Sequence, residues 1–260
     1  SIKHDELIGK SEGSVITSSG NMIYLALRPL LLDFVLSMPR GAAVVYPKDA
    51  AAIVGLADVY PGCVVVEAGV GSGALTCSLL RAVGSAGFVY SFERRDDFAK
   101  IAQKNVKNFF GEMPTNWQVT LGDLQDEVTQ LPEASVDRVV LDMLAPWECI
   151  DSIAAVIRPG GVLIAYVATT TQMSRFVEDL RLDKRWTNPE GQELIQRPWH
   201  LEGLAVRPNH RMQGHTGFLV TARKLAPGTV LPTRRIRPTK GALDNVAVSS
   251  LPESTDQELL

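Results

Sequence analysis

The sequence predicts an α/β protein built around a mostly parallel sheet, and three observations carry that prediction. From Val64 to about Leu182, short apolar runs alternate with segments whose apolar residues recur at helical spacing. The first of these runs, "VVVEA", opens directly into a loop with glycines at 69, 71 and 73, and a helical segment follows. Four of the apolar runs end on or near an acid: Glu67, Glu93, Asp123 and Asp142.

The elements follow in order. "GSVITSSGNMIYLALRP" reads as a hairpin, with Ser-Ser-Gly-Asn as its turn. "PLLLDFVLSM" has helical length and stops at "PRG". In "YPKDAAAIVGLADVYPG", Pro47 opens a helix at its first turn and Pro61-Gly62 closes the segment. "VVVEA" is a buried strand and "GALTCSLLRAV" a helix. "GFVYSFE" is a strand, and "DDFAKIAQKNVKNF" is a helix begun by acids. "WQVTLGD" and "VDRVVLDM" are strands, "PWECIDSIAAVI" a helix ended by "RPGG", "GVLIAYVAT" a strand and "TQMSRFVEDLRL" a helix. "QELIQRPWHLEGLAVRP" and "GHTGFLVTARKL" are late strands, the last of them antiparallel. Residues 1–45 form a small appended unit, 46–227 the main domain, and 228–260, rich in Pro, Thr and Ser, a disordered tail.

Bulk composition narrows the function classes. The apolar runs are too short to span a bilayer, and the start "SIKHDEL" is too polar for a signal peptide. Cys63, Cys77 and Cys149 are scattered and form no CxxC, so they read as buried free thiols in a reducing cytosol; a cytoplasmic location and no metal follow as expectations. The net charge of −3 excludes a uniformly basic nucleic-acid binder, but the charge is uneven: Arg197 to Lys240 holds nine Lys or Arg against Glu202 alone. Such a segment is either a polyanion contact or a solvated edge with a basic tail.

The loop alone fits two ligands, because Gly69-x-Gly71-x-x-Ala74 passes the dinucleotide pattern. Glu93, 20 residues after Gly73, suits the ribose hydroxyls of either. Three features favour S-adenosyl-L-methionine (AdoMet). Glu67 would repel a pyrophosphate but would suit an ammonium. Asp123 in "GDL" suits an adenine amino group. "DMLAPW" resembles the D/N-P-P-Y type of motif with which amino-methyltransferases hold a base amino group.

The motifs "LRPLLLDFVLSMPRGAAVVYPKDAA", "EAGVGSGALT", "VDRVVLDMLAPWE", "GGVLIAYVATTTQ" and "GLAVRPNHRMQGHTGFLVTARKLAPG" together resemble the tRNA (adenine-58-N1)-methyltransferases, of the actinobacterial type, over about residues 5–228. The resemblance implies a Rossmann-like class I methyltransferase fold, with a seven-stranded, mostly parallel sheet whose last strand is antiparallel. It also implies a small N-terminal β-domain, which the Met-less start suggests is truncated. A homotetramer using AdoMet and no metal, and acting on tRNA, is implied as well.

Residue by residue, Ser72, Gly73, Ala74 and Leu75 match the cofactor loop, Glu93 the ribose-binding acid and Asp123 the acid near the adenine ring. Phe98 falls beside the cofactor, where relatives often carry His. Asp142 matches the catalytic acid, also near the cofactor, and Tyr46 and Tyr166 match aromatics framing the target base. Each tyrosine also has a plainer reading, Tyr46 as the start of a helix and Tyr166 as a core aromatic. Arg197, Arg207 and Arg211 are the expected phosphate contacts; His215 is either a fourth or a structural residue. The function implied is methyl transfer to N1 of adenine 58 in the T-loop, with methylation of a small molecule or protein as the alternative.

Overall fold

A computed structural model describes residues 1–232, and all but the last three belong to one unit, Ser1–Thr229. Most of the expected 228–260 tail, from residue 233 onward, lies outside the described residues. Strands β1 (Ser14–Thr17) and β2 (Ile23–Ala26) make the N-terminal hairpin, in antiparallel register Ser14 to Ala26. Helices α1 (Leu31–Ser37) and α2 (Pro47–Leu56) follow, the latter with proline in its first turn as the sequence predicts.

The alternating part then unfolds as β3 (Val64–Ala68), α3 (Ala74–Val83), β4 (Phe88–Glu93), α4 (Asp96–Phe110), β5 (Trp117–Leu121), the short α5 (Leu124–Glu127), β6 (Val136–Asp142), α6 (Ile150–Val156), β7 (Ile157–Val167) and α7 (Thr170–Asp183). The start of "PWECIDSIAAVI" is a 3-10 turn, Pro146–Cys149, before α6 begins. β8 (Glu190–Glu193), β9 (Trp199–Glu202), β10 (Ala205–Pro208) and β11 (Phe218–Arg223) complete the described chain.

Seven strands form one sheet in the order β5-β4-β3-β6-β7-β11-β8. The first five are parallel, and β11 runs antiparallel to both β7 and β8. This is the Rossmann-like, seven-stranded arrangement expected, with the last strand reversed. One expectation is refined: β9 and β10 pair only with each other and stand outside the main sheet as a separate hairpin.

The parallel strands are apolar on both faces because helices cover both. One core packs α2, α3 and α4 against residues such as Val65, Val89, Val140 and Ile164. The other packs α5, α6 and α7 against Val66, Leu141, Leu163 and Ala165. Consecutive residues of one strand thus enter opposite cores. The three cysteines are buried free thiols, as expected. Strand order reverses between β3 and β6, so the crevice at the carboxyl ends of these strands is where such a sheet binds ligands.

Candidate active site

A cleft of about 840 Å³ opens at that reversal point. Its floor is the ends of β3, β4, β5 and β6, and the segment before α2 closes one side through Ala42 and Ala43.

The glycine loop is shaped by close approach. Gly69 and Gly71 line the cleft, both with positive φ (85° and 54°). A Cβ on Gly69 would lie 1.8 Å from the carbonyl oxygen of Asp142, so only glycine lets the end of β3 touch the end of β6. Gly73, at the start of α3, is packed against α4; its Cβ would lie 3.2 Å from the Ala102 carbonyl oxygen. Ser72 is buried, its hydroxyl accepts from the Gly41 amide at 3.2 Å, and Asn105 donates to its carbonyl at 2.9 Å. Ala74 and Leu75 turn their side chains into apolar packing, Ala74 against Val35, Met38 and Val44. None of these four residues lines the cleft; what they can offer toward it is backbone, at a helix start whose first N–H groups have no helical partner.

Glu93 is fixed at the end of β4. One carboxylate oxygen accepts from the Gly71 amide and the other from the Arg95 amide, each at 3.0 Å. A carboxylate has about four acceptor positions, so two remain for hydroxyl donors. Phe98 lines the cleft, with the Arg95 guanidinium 3.7 Å above its ring. Asp123 is half-buried at the start of α5 and ion-pairs with Arg94, while its neighbours Gly122 and Leu124 line the cleft.

Asp142 ends β6 and lines the cleft. Burial and, next, the Glu93 carboxylate push its pKa up to about 7, and no hydrogen bond offsets them. Across the β6–β7 ladder its register partner is Tyr166, so the two side chains project from the same face of the sheet. The Tyr166 hydroxyl donates to the Thr216 carbonyl at 2.7 Å, and burial raises its pKa. Tyr46 is half-buried at the start of α2, and neither it nor Tyr166 is among the residues lining the cleft.

Glu67 is placed differently from the sequence expectation. It is fully buried on the α3 side of the sheet and accepts hydrogen bonds from Thr76 (3.0 and 2.8 Å) and Ser91 (2.6 Å). Packing is the reason: Glu67 lies under α3, where Thr76 of that helix and Ser91 of β4 already engage its carboxylate, and it does not line the cleft. Burial, partly offset by these hydroxyls, pushes its pKa up to about 7.

Arg197, Arg207 and Arg211 are exposed, with Arg207 on β10 opposite His200 on β9. Both ring nitrogens of His215 are engaged, one with Glu193 at 2.5 Å and one with the Ala168 carbonyl at 2.9 Å, which favours the structural of its two readings. Among the described residues no group of three His, Cys, Asp or Glu could hold a metal ion, and no helix is long and apolar enough to cross a membrane.

The comparisons with known proteins agree with this fold. Residues 22–203 match the family described as tRNA methyltransferase complex GCD14 subunit. The chain belongs to this family. It is 35% identical over 229 residues to the tRNA (adenine(58)-N(1))-methyltransferase TrmI of Thermus thermophilus, covering 86% of each chain. It is 30% identical to the tRNA (adenine(57)-N(1)/adenine(58)-N(1))-methyltransferase TrmI of Methanocaldococcus jannaschii, covering 82% of each. Among solved structures, the tRNA (m1A58) methyltransferase TrmI of Aquifex aeolicus superposes with a TM-score of 0.77 at 30% identity, over 86% of both chains. A structure described as a SAM-dependent O-methyltransferase from Thermotoga maritima superposes with a TM-score of 0.79 at 31% identity, over 86% of this chain and 82% of that one. The class I methyltransferase fold is thereby established for this member of the GCD14 family.

Two groups are not legible in the sequence, one in the cleft and one outside its lining. Ala42 and Ala43 carry no chemical signature. Lys48, Asp49, Glu193 and Thr216 come together only in the folded chain, and their one legible trace was a Lys-Asp pair in the first turn of a helix.

Proposed function

We propose that this protein transfers a methyl group from AdoMet to N1 of adenine 58 in the T-loop of tRNA, giving 1-methyladenosine. The observation that carries the reading is Asp142: a half-buried acid without a side-chain hydrogen bond, opening into the cleft of a GCD14-family fold.

The cleft suits AdoMet. Glu93 keeps acceptor positions for ribose hydroxyls, and Gly69 and Gly71 permit close backbone approach. Asp123 and Phe98 flank the space for the adenine ring. Two carboxylates in one cleft, Glu93 and Asp142, are a poor environment for a pyrophosphate. When bound, AdoMet supplies the methyl group as a sulfonium substituent.

The chain's own task is then positioning and electrostatics. N1 lies on the Watson–Crick edge, so the base must leave its tertiary pairing and enter a pocket. Asp142 accepts a hydrogen bond from the N6 amino group. As N1 is alkylated the ring becomes cationic, and an ionised carboxylate in a poorly hydrated site stabilises that charge more than it stabilises the neutral base. The same cation lowers the raised pKa of Asp142 and favours the ionised form that the step needs. Tyr46 and Tyr166 flank the base. Arg197, Arg207 and Arg211 contact phosphates, with His215 holding the segment behind them. The chemistry needs no metal. A homotetramer working in the cytoplasm completes the reading.

The test is incubation with labelled AdoMet and unmodified tRNA, followed by mapping the modified base as a reverse-transcription stop. A stop at the T-loop adenine is expected. Label transferred without tRNA to a small molecule or protein would favour the alternative instead.

A further inference from the structure

We propose that Lys48 is a positioning residue for the base pocket, setting Tyr166 through Thr216; this rests on the reading of Asp142 and Tyr166 as walls of that pocket. The Lys48 ammonium donates to Asp49 at 2.7 Å, to the Leu194 carbonyl at 2.8 Å and to the Thr216 hydroxyl at 2.6 Å. An ammonium has three donors, and all three are used. The acceptors belong to α2, to the residue after β8 and to the segment before β11, so one side chain pins three elements far apart in sequence.

This pin is made away from water. The Lys48 side chain is 12% exposed and that of Asp49 0%. Buried ion pairs are expensive to desolvate, and an apolar pair of similar volume is often as stable. Stability alone therefore does not call for Lys48 and Asp49 here; a fixed geometry does. The second Asp49 carboxylate oxygen has no partner, so Lys48 is the counter-charge that keeps this acid tolerable beside the pocket.

The fixed object is the segment His215–Gly217. The Thr216 carbonyl accepts a hydrogen bond from the Tyr166 hydroxyl at 2.7 Å. A Cβ on Gly217 would lie 2.5 Å from the Tyr166 ring, so the ring rests directly on this backbone. His215 ties the same segment to the Ala168 carbonyl, just past the end of β7, and to Glu193 on β8. Lys48 supplies the remaining tie, to α2, whose first turn begins at Tyr46. With its proton committed to Thr216, the phenol presents only acceptor lone pairs to a ligand. An exocyclic amino group has two N–H bonds, and Asp142 beside Tyr166 on the same sheet face supplies the other acceptor.

The test is single-turnover methyl transfer to unmodified tRNA, with AdoMet affinity measured in parallel by calorimetry. Lys48→Met is expected to slow transfer about tenfold, as misplacement by a fraction of an ångström does, with AdoMet affinity held within about twofold. Thr216→Val should act in the same direction and Thr216→Ser should restore the rate. Because Lys48→Met leaves Asp49 without a counter-charge, the pair Lys48→Met with Asp49→Asn serves as a charge-balanced check and should show the same loss. In a Tyr166→Phe background, Lys48→Met should add less than about twofold, since coupled residues are non-additive. Wild-type rates in both Lys48→Met and Thr216→Val would overturn the proposal. So would a full-sized loss that persists in the Tyr166→Phe background, or a parallel loss of AdoMet affinity. If the wild-type protein itself leaves the T-loop adenine unmodified, the base-pocket reading fails first and the proposal falls with it.

Discussion

The ends of β3 and β6 look alike in sequence and differ in the fold. Each strand carries an acid at its carboxyl end, and burial pushes both Glu67 and Asp142 up to a pKa of about 7. Glu67 is sealed under α3 and bonded to two hydroxyl-bearing side chains, so its partners are all internal. Asp142 opens into the cleft without such bonds. A perturbed acid is therefore not by itself a sign of a site. What separates the structural acid from the chemical one is not the face of the sheet, which the register shows they share, but whether the fold has already satisfied it.

The largest effect is expected at Asp142. Asp142→Ala should lower single-turnover methyl transfer by about a thousandfold, in the range that loss of one preorganised electrostatic partner produces. AdoMet affinity, read by calorimetry, should change far less. A near wild-type rate would erase the contrast with Glu67.

Gly69→Ala tests the contact between the two strand ends. A Cβ cannot share space with the Asp142 carbonyl, and the positive φ adds strain. A stability loss of about 2–4 kcal/mol by chemical denaturation is expected, accompanied by loss of transfer activity. Unchanged stability would mean that the two strand ends are not in contact.

At Glu67 the expected effect lies on stability and its pH dependence. A carboxyl whose folded pKa is raised stabilises the fold fully below its unfolded value, and loses that contribution as pH rises through the folded value. For Glu67 the window runs from its ordinary 4.5 to about 7. The loss across it is on the order of 3 kcal/mol. Glu67→Gln should flatten this part of the stability profile in urea titrations, while methyl transfer stays within about threefold. An unchanged slope in the variant would sink the assignment.

The pH profile of transfer sharpens the other side. Activity should rise with pH through about 7 as Asp142 ionises and then level off. Asp142→Asn should remove that limb along with most of the rate.

The smallest effect is expected on the exposed β9–β10 hairpin. Arg207→Ala should weaken tRNA binding and reduce the log–log salt slope by about one, with little change in AdoMet affinity. A salt slope identical to wild type would take Arg207 off the RNA surface.

Much of this protein was legible before folding. The alternation from Val64 onward determined the layered α/β fold, because helix and strand periods leave different apolar patterns. The glycines at 69, 71 and 73 marked the loop, and the acids at strand ends marked the rim, because few residues other than glycine permit such approach and buried acids are costly. Tertiary structure alone decided the rest. It sent Glu67 inward and Asp142 into the cleft, set β9 and β10 apart from the main sheet, and occupied both nitrogens of His215. It also gathered Lys48, Leu194, Thr216 and Tyr166 around one buried ammonium. The physical reason is the range of the interactions. Backbone period and turn chemistry are local and are written in neighbouring residues. The partners a side chain meets are fixed by elements brought together from elsewhere in the chain, 24 residues away for Glu67 and Ser91 and 168 for Lys48 and Thr216.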